Sequence, residues 1–204
     1  MNNPIPNPEP PVNAEEVDDT PSFFAAVGRF AIELVEIVVI SLAIILPIRY
    51  FLIQPFYVKG ASMEPTFDDH EYLIIDELSY RFRTPERGEV VVFRYPLDPR
   101  QYFIKRVVGL PGETVKITGD HVVLFNEATP EGEVLDESSY LPSDVPTRGD
   151  RTIKLGEGEY FVLGDNRTAS LDSRTFGPLP LTNIVGRVWI RGWPIDRVTL
   201  FRAP

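Results

Sequence analysis

The feature that most constrains this chain is an apolar run of 19 residues near its N-terminus, positions 35–53, interrupted by Glu36, Pro47 and Arg49. A helix of this length, at about 1.5 Å per residue, would cover roughly 28 Å, close to the thickness of a hydrocarbon core. A buried core helix and a cleaved secretory signal are the alternatives. A signal fits less well, because the run is too long and acidic rather than basic residues precede it. We therefore predict a single transmembrane anchor over residues 31–54.

The segment ahead of this anchor is acidic and rich in proline. Residues 1–22 contain six prolines and five acidic residues, and no Lys or Arg. A segment with so little to bury cannot offset the entropy that it loses on ordering. We therefore predict a disordered tail over residues 1–30.

Composition excludes several kinds of site. The chain of 204 residues has no cysteine, which rules out a disulfide, a thiolate nucleophile and a cysteine-rich zinc site. It has two histidines, too few for a site that needs several imidazoles, and we expect no metal and no cofactor. A net charge of −10 argues against a nucleic-acid partner, which would have to be held by neutralising phosphates. The candidate nucleophiles are hydroxyls, and the candidate bases are carboxylates, lysines or a lone histidine.

Residues 55–204 alternate between short apolar segments and turns. GEVVVFRY, YFIKRVVG and EYFVLGD are rich in Val, Ile, Phe and Tyr, and Gly, Pro and Asp separate such segments. No amphipathic helix of convincing length follows residue 60. The pattern predicts a mainly β domain of coiled, antiparallel or barrel-like sheets. Residues 127–151 show no clear periodicity, and we predict that they form a surface insertion.

A serine and a lysine in this domain are placed in unusual surroundings. Ser62 lies in GASMEPTF, between a glycine that permits unusual backbone angles and a proline that stiffens the segment. Lys105 lies in the apolar segment YFIKRVVGLPGE, next to Arg106, and strand alternation places these two cations on opposite faces. One face therefore buries a cation. Burial of a lysine lowers its pKa and makes it a usable base near neutral pH, although a lysine at a sheet edge can also extend its amine into water.

A third segment, GDNRTASLDSRTFGP at 164–178, combines acids with arginines after a strand. Together, SMEPT, IKRVVGLPGE and GDNR…S.DSR.FG, in this order behind one apolar run, resemble the nucleophile, lysine and C-terminal boxes of the bacterial type I signal peptidase family. The resemblance covers most of residues 54–192 and the anchor, but neither the acidic tail nor 127–151. It implies a membrane-bound serine endopeptidase with a Ser/Lys dyad and no metal, whose substrates are the signal peptides of exported preproteins.

The resemblance also assigns roles to residues. Ser62 matches the nucleophile, whose backbone N–H, with the region of Gly60, would form the oxyanion site; some members carry a serine hydroxyl where this chain has Gly60. Lys105 matches the general base, and Ser170 matches a serine that hydrogen-bonds the lysine amine and aims it. The expected supports of the site are Asp165, Asp172, Arg106 and Arg174. An extended substrate adding to a sheet edge would place small side chains, typically Ala-x-Ala, in shallow pockets that include Tyr102 and Ile104.

The resemblance further implies a single-pass protein of the plasma membrane, with residues 1–30 in the cytoplasm and the catalytic domain on the outer side. Its partners would be signal peptides, the lipid bilayer and the secretion machinery. Charge does not show this orientation, because Arg29 precedes the apolar run, whereas Arg49 lies near its C-terminal end and Lys59 follows it.

Three alternatives remain at this stage. A self-cleaving repressor would share the dyad and a related β fold, but would be soluble and carry a DNA-binding domain. A membrane-tethered β domain without activity would have no need for Ser62, Lys105 and Ser170. A Ser–His–Asp hydrolase would need His70 or His121, both of which lie in polar turns.

Overall fold

The computed structural model describes residues 23–51, 53–142 and 145–201. The chain divides into two units, residues 1–45 and 46–204. Helix α1 (Phe23–Phe51) begins earlier than expected, so residues 23–30 are helical and do not belong to a disordered tail. The physical reason is that the apolar pattern continues to Phe23, beyond the run on which the prediction was centred. The rest of the predicted tail lies outside the described residues.

The predicted anchor falls on α1, whose described side chains at 27–46 are exposed. No helix among the described residues has the length and mean hydropathy that a membrane span requires. The anchor over 31–54 is therefore not confirmed. Its last residues are already part of a strand, because β1 begins at Ile53.

The described residues that follow α1 form twelve strands. In chain order they are β1 (Ile53–Tyr57), β2 (Tyr72–Asp76), β3 (Val90–Tyr95), β4 (Asp98–Gly109), β5 (Thr114–Thr118), β6 (His121–Phe125), β7 (Glu133–Val134), β8 (Arg151–Lys154), β9 (Glu159–Leu163), β10 (Leu179–Pro180), β11 (Ile184–Trp193) and β12 (Thr199–Leu200). One short helix, α2 (Ser173–Phe176), lies between β9 and β10. The prediction of a mainly β fold is confirmed.

Two antiparallel sheets result from the pairing of these strands. The large sheet has the order β1-β2-β11-β3-β4-β9-β10, with β12 added to β11, and the small sheet has the order β7-β6-β5-β8. In the small sheet, alternate residues such as Val115 and Ile117 are buried while their neighbours are more exposed. This alternation is typical of a sheet with one covered face.

The large sheet is covered on both faces around β3, which explains why its sequence is a continuous apolar run. Val92 packs with Met63 on one face, and Val91 packs with Val107 on the other. In the antiparallel register, Val91 lies opposite Lys105 of β4. Because cross-strand partners share a face, Lys105 extends from the covered part of the sheet rather than from its rim.

The segment 127–151, for which we predict a surface insertion, is exposed over most of its described length. It is nevertheless joined to the fold at several points. Its β7 pairs with β6, and the side chains of Leu141 and Thr147 are buried. The segment is therefore packed against the domain rather than simply appended to it.

Candidate active site

Ser62 and Lys105 lie side by side, although 43 positions separate them in the sequence. Ser62 is in the turn that follows β1, where Gly60 adopts a φ of +91° that favours glycine. Lys105 is in β4, and its Nζ lies 2.7 Å from Ser62 Oγ. This is hydrogen-bond distance, so the amine can take a proton from the hydroxyl without rearrangement.

Burial lowers the pKa of the Lys105 amine. The residue is 3% exposed. Loss of hydration disfavours the ammonium form and lowers the pKa of Lys105 to about 8, while the carboxylates of Asp172 and Asp165 act in the opposite direction. Nζ also donates to the carbonyl oxygen of Ile104 at 2.6 Å. The alternative of a lysine that extends into water at a sheet edge is therefore excluded.

The turn that carries Ser62 is held from both sides. On its inner side, Met63 and Phe67 are fully buried in the core. On its outer side, the backbone N–H of Asn166 donates to Ser62 O at 3.1 Å, and Asn166 Nδ2 donates to Ala61 O at 3.1 Å. Motion of the serine backbone would have to break these contacts.

Gly164 allows the chain around Ser170 to approach Ser62 closely. A Cβ atom at Gly164 would lie 2.1 Å from Ser170 Oγ and 2.5 Å from Ser62 O, both far inside van der Waals contact. Only glycine fits at this position. Gly164 N also donates to Asp172 Oδ2 at 3.1 Å, which fixes the start of the 164–171 loop.

The hydrogen bond predicted from Ser170 to the amine of Lys105 is not made. Ser170 Oγ is buried and has no hydrogen-bond partner among the described residues. The hydroxyl is instead directed to the space beside Gly164. The bond to Ile104 O therefore orients the amine, and this contact comes from the main chain and has no signature in the sequence.

Arg106 and Asp165, predicted as supports, form a buried bidentate ion pair. Arg106 Nε lies 2.9 Å from Asp165 Oδ1, and Arg106 Nη2 lies 2.6 Å from Asp165 Oδ2. Thr66 Oγ1 donates to the same carboxylate at 2.5 Å. Because Arg106 follows Lys105 and Thr66 belongs to the serine turn, this pair connects β4, the serine turn and the 164–171 loop.

Asp172 and Arg174, the other predicted supports, form a second pair. Arg174 Nε and Nη2 each lie 2.8 Å from the Asp172 carboxylate. The same carboxylate accepts from Arg174 N and so caps α2 at its N-terminus. The pair therefore fixes the end of the 164–171 loop.

A groove of about 520 Å³ opens beside Ser62 and Lys105. Tyr102 and Ile104, both predicted to contact substrate, line it, and Phe56 packs edge-on against Tyr102 with ring centroids 5.5 Å apart. Along the part of β4 that lines the groove, β3 pairs on one side, whereas β9 pairs only from Arg106 onward. The other edge of this part of β4 is unpaired among the described strands.

Neither histidine belongs to the site. His70 is in an exposed turn beside Asp69, and His121 is exposed at the start of β6. Neither lines the groove that holds Ser62. In the described part of the chain, no group of three or more His, Asp or Glu side chains is arranged to hold a metal ion.

Four residues that hold the site in place were not predicted from the sequence: Thr66, Asn166, Gly164 and Arg167, whose Nε donates to Gly164 O at 3.0 Å. Only Gly164 had a usable signal, because a glycine directly after a strand indicates a close backbone approach.

Comparison with known proteins relates the chain to one family. A family profile described as signal peptidase, peptidase S26, matches residues 31–193. The chain is 38% identical over 175 residues to a probable signal peptidase I-2 of Synechocystis sp., covering 83% of this chain and 76% of that protein. It is 36% identical over 169 residues to signal peptidase I of Leptolyngbya laminosa, covering 78% of each chain.

Similarity extends to a further curated relative and to a solved structure. Signal peptidase I V of Bacillus subtilis is 35% identical over 154 residues, covering 72% of this chain and 90% of that protein. A crystal structure of a signal peptidase I from Enterococcus faecalis V583 matches with 30% identity and a TM-score of 0.43, covering 52% of this chain and 97% of that one. The family profile also spans the segment 127–151, which lies outside the resemblance of the three motifs.

Proposed function

The chain belongs to the signal peptidase family, peptidase S26, and is a serine peptidase; we propose that it removes signal peptides from exported preproteins by means of a Ser62/Lys105 dyad. The observation that carries this proposal is the 2.7 Å distance between Lys105 Nζ and Ser62 Oγ. A serine hydroxyl is a poor nucleophile until a neighbouring group accepts its proton. A neutral buried amine supplies that group without an imidazole.

The reaction begins when Ser62 Oγ attacks the scissile carbonyl carbon while its proton passes to Nζ. The resulting tetrahedral oxyanion accepts a hydrogen bond from the backbone N–H of Ser62, with a second donor from the main chain near Gly60 or from water. The C–N bond then breaks, and the ammonium of Lys105 returns its proton to the leaving amine. This leaves an ester between the signal peptide and Ser62.

Hydrolysis of this ester uses the same two groups. Lys105, neutral again, takes a proton from water, and the hydroxide attacks the acyl carbon. Collapse of the second tetrahedral intermediate transfers the proton from Lys105 to Ser62 Oγ and releases the new carboxylic acid, which loses its proton to solvent. Asp165 and Asp172 carry no proton in this cycle; they stabilise the transient ammonium, since their carboxylates favour the charged form.

Substrate recognition follows from the edge of β4. A peptide in extended conformation adds to this edge through main-chain hydrogen bonds, and alternate side chains point into the groove. Ile104 packs against the core cluster that contains Met63 and Val92, and it limits the depth of the groove beside Ser62. Small side chains such as alanine are therefore preferred before the cleaved bond.

The proposal includes a location for the catalytic domain at the plasma membrane. The membrane anchor over 31–54 would tether the domain, with residues 1–30 in the cytoplasm and the dyad on the outer face of the plasma membrane. Its partners would be the bilayer and the secretion machinery that delivers its substrates. The support for this arrangement is the apolar run at 35–53 and the family membership.

The proposal is tested with the full chain in detergent or lipid and a fluorogenic peptide containing Ala-x-Ala. We expect the wild type to cleave the peptide after the second alanine, and Ser62→Ala and Lys105→Met to abolish cleavage. Ser138→Ala and Lys116→Met, which change the same residue types away from the groove, serve as controls and should retain activity. An inactive wild type would favour a binding domain instead. Loss of activity in His70→Ala or His121→Ala would contradict the assignment of Lys105 as the base.

A further inference from the structure

The segment 127–151 reaches the active-site loop through a half-buried glutamate, Glu137. The carboxylate of Glu137 receives two hydrogen bonds from the guanidinium of Arg167, from Nη1 at 2.8 Å and from Nη2 at 2.5 Å. The Arg167 side chain is fully buried. Its positive charge is therefore shielded from water and must be compensated by the carboxylate of Glu137. Arg167 Nε donates to Gly164 O at 3.0 Å. Glu137 thus controls the position of a guanidinium that holds the 164–171 loop.

A second connection runs from the same glutamate to the neighbour of Lys105. Tyr140 Oη donates to Glu137 Oε1 at 2.7 Å. The guanidinium of Arg106 lies over the Tyr140 ring, 4.0 Å from its centroid, and forms the bidentate pair with Asp165. Burial and the adjacent Glu137 carboxylate raise the pKa of Tyr140, so its hydroxyl remains a donor.

Both connections end on adjacent residues, Gly164 and Asp165. The next residue, Asn166, donates its backbone N–H to Ser62 O. Glu137 is therefore linked to the backbone of the nucleophile by a network of four charged side chains, all buried or half-buried. The network contains two cations and two anions: Arg167, Arg106, Glu137 and Asp165. Such a network is rigid only when every member is paired.

We propose that Glu137 is a positioning residue for the peptidase reaction: through Arg167 and Tyr140 it holds the 164–166 turn in place, and thereby Ser62 against Lys105. This inference rests on the proposed function of the dyad. It assigns a role in catalysis to a segment that lies outside the three sequence motifs, and this role differs from substrate binding, because Glu137 does not line the groove.

The effect of Glu137→Gln follows from the geometry. The amide can accept only one of the two guanidinium hydrogen bonds, and its NH₂ group opposes the other. Arg167 would then be attracted to Asp165, a second carboxylate with which it interacts electrostatically. In forming that pair it would compete with Arg106. The turn would shift while the groove kept its lining. A displacement of the nucleophile by about 1 Å costs up to roughly 100-fold in rate.

The test compares three glutamates in the full-length protein, with the Ala-x-Ala peptide as substrate and thermal unfolding measured in parallel. Glu137→Gln is the test variant. Glu113→Gln is the matched control, because Glu113 is buried and paired with Arg87 at 2.6 Å in a region away from the groove. Glu133→Gln removes an exposed charge from the same segment as Glu137. Tyr140→Phe removes a single hydrogen bond to Glu137 and leaves the ring on Arg106, so it remains informative if Glu137→Gln fails to fold.

We expect Glu137→Gln to lower kcat by about 10- to 100-fold and to change KM by less than about twofold, because only positioning is lost. Tyr140→Phe should lower kcat by about two- to tenfold. Glu113→Gln should lower the unfolding temperature without lowering kcat, and Glu133→Gln should change neither.

Two results would overturn the inference. One is a folded Glu137→Gln variant with wild-type kcat, and the other is an equal loss of kcat in Glu113→Gln, which would indicate general destabilisation. Wild-type cleavage is measured first. Its absence would refute the proposed function and this inference together, whereas an active wild type with an unaffected Glu137→Gln would refute the inference alone.

Discussion

Replacement of Gly164 with alanine is a direct test of how tightly the loop closes over Ser62. The added Cβ atom would lie 2.1 Å from Ser170 Oγ, 2.5 Å from Ser170 Cβ and 2.5 Å from Ser62 O, whereas ordinary contacts begin at 3.4 Å. Relief of this overlap requires shifts of roughly 1 Å, and a misplacement of that size costs about 100-fold in rate. Overpacking should also cost about 1–3 kcal/mol of stability.

The control for this variant is Gly109, a glycine that is also crowded but does not line the groove. A Cβ atom at Gly109 would lie 2.5 Å from Val115 Cγ2 and 2.9 Å from Leu155 Cδ1, in the core below the small sheet. Gly109→Ala should therefore lose a similar amount of stability while the folded protein keeps its kcat. Gly192→Ala, whose new Cβ atom would meet nothing closer than 3.8 Å, should behave as the wild type.

The assay is cleavage of the Ala-x-Ala peptide below the unfolding temperature of every variant, with kcat and KM measured separately. We expect kcat of Gly164→Ala to fall by about 100-fold, and kcat of Gly109→Ala to remain within about twofold of the wild type. A Gly164→Ala variant that keeps half or more of the wild-type kcat would refute the argument that the close approach at this glycine sets the geometry of the dyad.

Three further predictions concern Lys105 and its surroundings. Because Lys105 must be neutral to act as base and its pKa is about 8, kcat/KM should rise with pH through about 8, and a flat profile would contradict the dyad. The same depressed pKa, about 8 in the folded chain against 10.5 for an ordinary lysine, destabilises the fold by about 3 kcal/mol below pH 8 and ceases to do so by pH 10.5. Lys105→Met should therefore be inactive, yet its free energy of unfolding at pH 7 should exceed that of the wild type. Unfolding curves should show that this difference disappears at pH 10.5. An equal difference at both pH values would contradict the view that desolvation of the ammonium lowers the pKa of Lys105. Ile104→Ala should deepen the groove and admit side chains larger than alanine before the cleaved bond; an unaltered cleavage profile across a peptide library would count against its role.

The sequence was informative where a local pattern determines the structure. Turn residues between short apolar segments predicted the β domain, and strand alternation at Lys105 and Arg106 predicted a buried cation; both are buried. The pattern could not predict contacts between distant segments, such as Asn166 with Ser62 or Glu137 with Arg167. Spacing along the chain does not encode those distances.

The error at Ser170 has a related cause. The residue type was consistent with a hydrogen bond to Lys105, but the direction of a hydroxyl depends on the atoms packed around it. At Ser170 those atoms are set by the close approach of Gly164. Similarly, α1 begins at Phe23 because apolar residues continue the helix beyond the run that the prediction considered.

The bond between Lys105 Nζ and Ile104 O has an evolutionary consequence. A neutral amine has two N–H groups and one lone pair, so when one N–H is tied to the preceding carbonyl, the lone pair is free to face the serine. No side-chain substitution can delete a peptide carbonyl. Substitutions accumulated in evolution can therefore alter the pockets, the loop and the supporting charges. The orientation of the base is retained as long as β4 itself is retained.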